Sequence, residues 1–271
     1  MIHLPTGELN LQYMDFQFPC RVPLACIRSY HSHMDYDGLL GRGGWHFGWD
    51  SHMRVDLAAD SLHWLRRDGV VLELPMISDG EEAVIRGERV RYAMSGGDCT
   101  VREYGLTGVD PEGGLVEHYR PMWGDPAVLR LTAVSRGPFR MALHDSLGGA
   151  LQQVVDAAGR VLHIVRDFRG LVSSVELENA WVRPGGREVM VRYAYGPDGV
   201  LASATDALGQ VEHYAYSGGL LVRRTDRNGH PHHWQHVQTG DGPRCVRRWQ
   251  GQGQGQFGER FAYHPGRTDV T

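Results

Sequence analysis

The four-residue motif Asp-x-x-Gly recurs through the second half of the chain and constrains the fold more than any other feature. An Asp at the first position of a type I β-turn accepts hydrogen bonds from backbone NH groups two residues further on, and a Gly at the fourth position adopts the positive φ that lets the next strand depart. Turns that return at intervals of about ten residues leave room only for short elements. The motif residues are Asp145 and Gly148, Asp156 and Gly159, Asp167 and Gly170, Asp206 and Gly209, and Asp226 and Gly229.

The segments between these turns alternate as β-strands do. In Val211–Tyr216, one face carries Val211, His213 and Ala215, and the intervening Glu and two Tyr residues lie on the other. A period of two residues is typical of a strand, and no stretch keeps a helical period for more than about two turns. The 36 glycines agree with many tight turns, because Gly adopts positive φ without steric cost. The sequence therefore predicts an all-β fold.

The composition and the motif pattern of the sequence change near residue 125. The part before it is irregular and rich in aromatic residues and glycine, whereas turn motifs and short strand-like runs repeat after it. We therefore predict two domains. The first is an irregular N-terminal β domain over residues 1–125, and the second is a series of β-hairpins over residues 126–271 that is incomplete at its C-terminal end.

The composition excludes several partners and environments. The formal net charge is −4 and the sequence pI is about 6.4, so no basic excess is present to bind a phosphate backbone, and we expect no nucleic acid partner. No apolar run approaches the ~18–20 residues needed to span a bilayer. The first residues lack the basic and apolar regions of a signal peptide. We expect the protein to be cytoplasmic until export and secreted afterwards, by a route other than an ordinary Sec signal.

The repeated segments resemble YD repeats. Residues 193–216 contain Tyr-Ala-Tyr, Asp-Gly-Val-Leu, Thr-Asp-Ala-Leu-Gly and a strand that ends in Tyr, in the order of that family's unit. Asp156–Leu162 fits the Gly-Arg-Leu form of the unit, and Gly219–Asp226 fits its second half. The sequence also departs from the pattern, since Tyr195 is followed by Gly-Pro-Asp rather than by Asp, and residues 171–188 look like an insertion.

The N-terminal part resembles the domain that precedes such repeats in bacterial Rhs proteins. The similar segments include Pro5–Leu9, Arg28–Tyr30 and Asp37–Trp45. The two resemblances cover nearly the whole chain and occur in the order that the Rhs family has.

The Rhs resemblance implies a spiral of β-hairpins wound into a hollow shell around a C-terminal toxin domain. This chain would be the first segment of that shell in a polymorphic toxin, which many members deliver through a type VI secretion system in bacterial competition. The resemblance implies neither an enzymatic activity nor a cofactor for this segment. The implied partners are the rest of the shell, the C-terminal toxin, which is absent from this sequence, and spike proteins of a secretion system.

His31, His33 and Asp35 are the strongest candidates for a metal site, since His-x-His-x-Asp opens the zinc motif of metallo-β-lactamase-like hydrolases. That motif continues with His where this chain has Tyr36, and those hydrolases need an α/β layer that this sequence lacks. The histidines of 230–236 alternate between the two faces of a predicted strand, so they need not converge on a metal. We therefore expect no metal and no catalytic residues.

Two further interpretations remain open at this point. A cell-surface or carbohydrate-binding module would show an exposed row of aromatic side chains. Trp45, Phe47 and Trp49 alternate and could form that row, although the same pattern suits the core of the N-terminal domain. The second interpretation is an orphan or truncated fragment without activity.

Overall fold

The computed structural model describes residues 1–103, 114–146, 149–179, 185–251 and 258–271, and these residues form strands and turns without any helix. The predicted all-β fold is confirmed. The described part of the chain accordingly has no helix that could span a membrane. The strands before β13 are β1 (Ile2–His3), β2 (Glu8–Phe18), β3 (Leu24–His31), β4 (Trp45–Phe47), β5 (His52–Asp56), β6 (Ser61–Leu65), β7 (Val71–Pro75), β8 (Glu82–Ile85), β9 (Val90–Ser95), β10 (Asp98–Glu103), β11 (Val116–Met122) and β12 (Asp125–Arg136). The later strands are β13 (Phe139–Asp145), β14 (Leu151–Val155), β15 (Val161–Arg166), β16 (Val172–Glu178), β17 (Arg187–Tyr195), β18 (Leu201–Asp206), β19 (Val211–Ser217), β20 (Leu220–Thr225), β21 (Pro231–Thr239), β22 (Gly242–Gln250), β23 (Gly258–His264) and β24 (Arg267–Val270).

The first four strands form a separate antiparallel sheet in the order β1-β2-β3-β4, which we call the N-terminal sheet. Its long strand β2 contains a β-bulge, because Met14 pairs with Ile27 and Phe16 with Cys26, so that Asp15 has no partner of its own. A bulge of one residue changes the face on which the following side chains lie. Asp15, which shares its face with Tyr13, is buried, and the bulge places the half-buried Phe16 on the same side.

Strand β12 joins the two halves of the larger sheet. Strand β11 pairs with β12 along most of the length of β12. Strand β5 pairs with residues 128–130 of β12, and β13 pairs with its residues 133–136. From β12 to β24 each strand pairs antiparallel with the next, and we call this series the meander. The domain division at about residue 125 stays a prediction, since β12 itself pairs with strands from both sides of it.

One face of the meander packs on the N-terminal sheet, and the two form a single hydrophobic core. The strand alternation places buried side chains from the strands β12 to β23 on this inner face. The buried residues of the inner face include Val154, Leu162, Val175, Val191, Ala204, Tyr214, Leu221, Trp234, Cys245 and Phe261.

The Asp-x-x-Gly motifs at 156, 167, 206 and 226 lie at turns between meander strands. At the first of these, the Asp156 carboxylate accepts hydrogen bonds from the backbone amides of Ala158 at 2.9 Å and Arg160 at 2.8 Å. Gly159 has φ +82 and donates its amide to the Asp156 carbonyl at 3.0 Å. The other three motifs repeat these contacts, with Gly170, Gly209 and Gly229 at positive φ.

The first motif differs from the prediction. Asp145 is the last residue of β13, and the turn begins one residue later, with the Ser146 hydroxyl accepting the Ala150 amide at 3.2 Å. Gly149, at φ +75, takes the glycine position, and Gly148 lies outside the described residues. A register shift between His144 and Asp145 accounts for the change, because it keeps Asp145 in the strand.

Candidate functional site: the junction of the N-terminal sheet and the meander

A network of buried charges joins the N-terminal sheet to the inner face of the meander. Its centre is the Arg28 side chain on β3, which is fully buried. The Arg28 Nε lies 2.9 Å from Asp15 of β2, and its Nη2 lies 2.7 Å from Glu212 of β19. Because a buried charge is costly without a partner, this arrangement depends on both sheets being in place. We call Asp15, Arg28, Tyr193, Glu212 and Tyr214 the junction.

Strand β2 supplies the first acid of the junction. Asp15 accepts a hydrogen bond from the Tyr193 hydroxyl at 2.6 Å, and Arg227 lies 3.4 Å from its other oxygen. Asp15 lies two residues after Tyr13, so regular alternation places both side chains on the face of β2 that meets Arg28. The bulge after Asp15 brings Phe16 to that face as well, because Phe16 pairs with Cys26, which shares its face with Arg28.

The alternation of β19 supplies the second acid. Glu212 and Tyr214 share the inner face, and the Tyr214 hydroxyl donates to the Glu212 carboxylate at 2.6 Å. Arg28 and Arg224 also donate to Glu212, and Arg28 donates to the Tyr214 hydroxyl as well. Three charged or polar groups therefore satisfy one buried carboxylate.

Aromatic side chains enclose these charges. The guanidinium of Arg28 lies over the rings of Tyr13 and Trp45, at 4.9 and 5.3 Å from their centroids. The Trp45 indole donates to the Tyr216 hydroxyl at 2.7 Å, and the Tyr30 hydroxyl accepts the backbone amide of Leu221 at 2.9 Å. Every one of these contacts except the two over Arg28 crosses from the N-terminal sheet to the meander.

The loop before β4 adds a second link, which we call the clamp (residues 39–42). The Leu39 carbonyl accepts the backbone amide of Val172 at 2.9 Å, and the Arg42 amide donates to the Gly199 carbonyl at 3.2 Å. Both partners lie at the ends of meander strands. The clamp therefore ties the loop to the edge of the meander by backbone hydrogen bonds.

The chemistry of the junction is that of a structural contact. Burial raises the pKa of the Cys26 thiol and of the Tyr193 hydroxyl well above their usual values, and the negative charge of Asp15 raises both further. Both groups are therefore protonated near neutral pH. The charges satisfy one another inside a closed core, and such a network favours one relative placement of two sheets.

The predicted metal candidates do not converge. The His31 ring bonds to Glu8 at 3.3 Å and to the Asp68 carbonyl at 3.0 Å, whereas the His33 ring bonds to the Pro243 carbonyl at 2.6 Å. Across the described ranges no three His, Cys, Asp or Glu residues are placed to hold a metal ion, so His31, His33 and Asp35 do not form a site there. These histidines fix loops instead of meeting at one point.

The aromatic candidates for carbohydrate stacking are in the core. Trp45 and Phe47 are fully buried and Trp49 is 3% exposed. They pack on each other and on the meander, with Trp45 and Tyr214 centroids 4.9 Å apart. An exposed row of these three side chains is therefore not formed.

We expect the junction to stabilise the fold well below neutral pH. Burial alone would raise the pKa of Glu212, but the nearby Arg28 and Arg224 lower it to about 2. A carboxyl group with a lowered folded-state pKa stabilises the fold above its unfolded pKa, and this contribution is lost as the pH falls through the folded value. The free energy of unfolding, measured in urea from neutral pH downward, should therefore fall between about pH 4.5 and 2, and this fall should be smaller in Glu212→Gln.

The control for this measurement is Glu82→Gln, which removes a half-exposed carboxylate paired with Arg91. In this variant the free energy of unfolding should fall at acid pH by as much as in the wild type. An equal fall of the unfolding free energy at acid pH in Glu212→Gln and in the wild type would contradict the lowered pKa of Glu212.

Comparisons with known proteins find a sequence similarity between this chain and a toxin. Residues 1–74 match a family described as a domain of unknown function, DUF6531. Over 232 residues the chain is 28% identical to the double-stranded DNA deaminase toxin A of Burkholderia cenocepacia (strain H111). The aligned region covers 79% of this chain and 14% of that protein. The chain thus spans about one seventh of the length of this curated relative.

Solved structures of Tc toxin proteins also align with the chain. The Photorhabdus luminescens Tc holotoxin pore aligns with 88% of this chain and 16% of its own, at 10% identity and a TM-score of 0.35. A TcdB2–TccC3–TEV crystal structure aligns with 93% of this chain and 16% of its own, at 11% identity and a TM-score of 0.34. The chain is therefore similar in sequence to part of a toxin protein, and its own fold is all-β.

Proposed function

We propose that this chain is the first segment of a YD-repeat β shell in an Rhs polymorphic toxin, and that the shell encloses a C-terminal toxin domain. One observation carries the proposal: the N-terminal sheet and the meander share a single core and are joined by the buried junction. A sheet fixed in this way can close one end of a series of strands that continues beyond it. The match of residues 1–74 to DUF6531 and the similarity to a deaminase toxin support this placement.

The proposal assigns a structural role to the chain and no catalysis. The toxic activity would reside in a following domain, and the partners would be that domain, the remaining shell strands and spike proteins of a type VI secretion system. The protein would remain in the cytoplasm until export and then act in bacterial competition. The closed, mutually satisfied charges of the junction support a structural role, because they leave no group free to react.

Limited proteolysis of the complete gene product tests the proposal. The region that follows the shell should resist a protease that readily cuts the same region expressed alone, because the shell would exclude the protease. Arg28→Met in the complete product should increase cleavage of that region, whereas Arg120→Gln, at an exposed ion pair, should not. A toxin region cut as quickly in the complete product as alone would contradict enclosure, and so would a gene that stops at codon 271.

A further inference from the structure

The outer face of strands β20–β23 carries a cluster of three arginines, one histidine and one tryptophan on the side opposite the core. Strand alternation places their neighbours Arg224, Trp234 and Phe261 on the inner face, where they are half-buried or buried. Arg223 and Arg260 are exposed, and the cluster members between them are half-buried. We call this cluster the outer basic patch, and it consists of Arg223, His233, Arg247, Trp249 and Arg260.

The patch places like charges opposite one another. Arg247 and Arg260 are directly paired across β22 and β23. Arg223 faces His233 across β20 and β21, and burial together with the charge of Arg223 lowers the pKa of His233, so this ring is not a second cation near neutral pH. Like charges directly opposite in an antiparallel pair destabilise it. The adjacent pair on the inner side of the same two strands, Arg248 and Glu259, is an ion pair at 2.7 Å. The same strands therefore accommodate an acid opposite an arginine on one face and not on the other.

Carboxylates do not neutralise the exposed arginines of the patch. Among the residues that the structure describes, no Asp or Glu forms an ion pair with Arg223 or Arg260. The chain as a whole has a net charge of −4, so this concentration of positive charge is local. Because this local excess of positive charge costs stability within the chain, it points to a negatively charged partner outside the chain.

Trp249 holds the patch in a defined arrangement. Its ring is stacked on His233, with centroids 4.9 Å apart and an interplanar angle of 7°, and the Arg247 guanidinium lies 5.0 Å from its centroid. Side chains that are ordered before binding lose less entropy when a partner arrives. Trp and Arg are also the residues most enriched among those that contribute most to protein interfaces.

We propose that the outer basic patch is a docking surface for a carboxylate-rich segment of another protein. The planar guanidinium groups of Arg223 and Arg260 can each bind a carboxylate through two parallel hydrogen bonds. Neighbouring strands lie about 4.8 Å apart, so the patch presents arginines on β20, β22 and β23 at a spacing that an acidic segment can follow. This inference goes beyond the proposed shell and does not depend on what the shell contains.

Other polyanions fit the patch less well. The Trp249 ring already contacts both His233 and Arg247, which leaves it less surface for stacking of a sugar. Double-stranded DNA carries one charge per ≈1.7 Å, which three arginines cannot match, and the net negative charge of the chain would oppose its approach. An anionic membrane would favour apolar side chains that insert, and the patch has one aromatic ring that is already packed.

Binding to poly-L-glutamate tests the proposal with the whole 271-residue chain. Saturable binding measured by titration calorimetry should weaken by about tenfold in the double variant Arg223→Gln/Arg260→Gln, since two exposed charge contacts are lost. Arg192→Gln is the matched control, because Arg192 is likewise exposed and without an ion pair in the described part of the chain, but lies on β17 outside the patch. This variant should bind as the wild type does.

Thermal unfolding separates binding from folding in these variants. The double variant should keep or raise the Tm, since Arg260→Gln removes a like-charge pair. Absence of saturable binding, or equal weakening by Arg192→Gln, would overturn the proposal. Tighter binding to polygalacturonate, double-stranded DNA or phosphatidylglycerol vesicles than to poly-L-glutamate would overturn the assignment of a protein partner.

Discussion

Arg28→Met should lower the free energy of unfolding by about 3–5 kcal/mol, a large part of the stability of an ordinary domain. Methionine fills much of the same volume without a charge, so Asp15 and Glu212 would remain in the core without their shared cation. The loss is large because both buried carboxylates lose a fully buried cation, and their remaining partners, Tyr193 and Arg227 for Asp15 and Arg224 and Tyr214 for Glu212, do not replace it. Unfolding in urea followed by tryptophan fluorescence measures it, since Trp45 packs beside the junction.

Arg120→Gln is the control for the size of this effect. Arg120 lies 3.0 Å from Asp98, but the two side chains are 62% and 40% exposed, so its removal should cost less than about 1 kcal/mol. Replacing Asp15 by Asn and Glu212 by Gln in the Arg28→Met chain should recover part of the loss, because it removes the uncompensated charges. A cost below about 1 kcal/mol for Arg28→Met would show that the junction does not hold the two sheets together.

The turns of the meander could be predicted because their determinants are local. At Asp206–Gly209 one carboxylate receives the amides of Leu208 and Gln210, so five consecutive residues contain the whole interaction. The exception is equally local, since Asp145-Ser-Leu-Gly-Gly149 offers two registers for one turn. A hydroxyl and the second glycine are used there, and the strand register decides between the two.

The junction could not be predicted from the same reasoning. Alternation assigned Glu212 and Tyr214 to one face of β19, but it does not say which face is covered or by what. Arg28 and Glu212 are 184 residues apart in sequence, and their contact depends on how two sheets pack. Alternation puts Asp15 in the same row as Leu11 and Tyr13, but it does not show that a buried arginine of β3 would meet this carboxylate. A charged residue within an otherwise inward-facing row was the available signal.

The metal candidates show why a short motif is weak evidence for a site. His31, His33 and Asp35 have the spacing of ligands, but spacing specifies a site only within the backbone conformation of the parent motif. Here His31 ends β3 and bonds to the Asp68 carbonyl, while His33 reaches the Pro243 carbonyl in the meander. A motif of three residues is too short to fix the conformation that would bring them together.

Gly41→Ala should also destabilise the protein, by roughly 2–5 kcal/mol, because backbone strain adds to a steric clash. Gly41 has φ +81, and a Cβ atom there would lie 2.1 Å from the Gly199 carbonyl oxygen in the meander. That oxygen accepts the Arg42 amide at 3.2 Å, so a shift that relieves the clash would also break this hydrogen bond of the clamp. Urea unfolding measures the loss, and hydrogen exchange at the Arg42 amide reports whether the clamp has opened.

Gly209→Ala separates the strain from the clash. Gly209 has φ +79, but a Cβ atom there meets nothing within 4 Å, so this variant should cost only the strain of about 1–2 kcal/mol. If Gly41→Ala costs no more than Gly209→Ala, the loop yields freely and the clamp does not fix the N-terminal sheet. A larger loss of unfolding free energy in Gly41→Ala, with faster hydrogen exchange at the Arg42 amide, would mean that close backbone contact at Gly199 holds the loop. Only a residue without a side chain allows these two backbone segments to approach so closely.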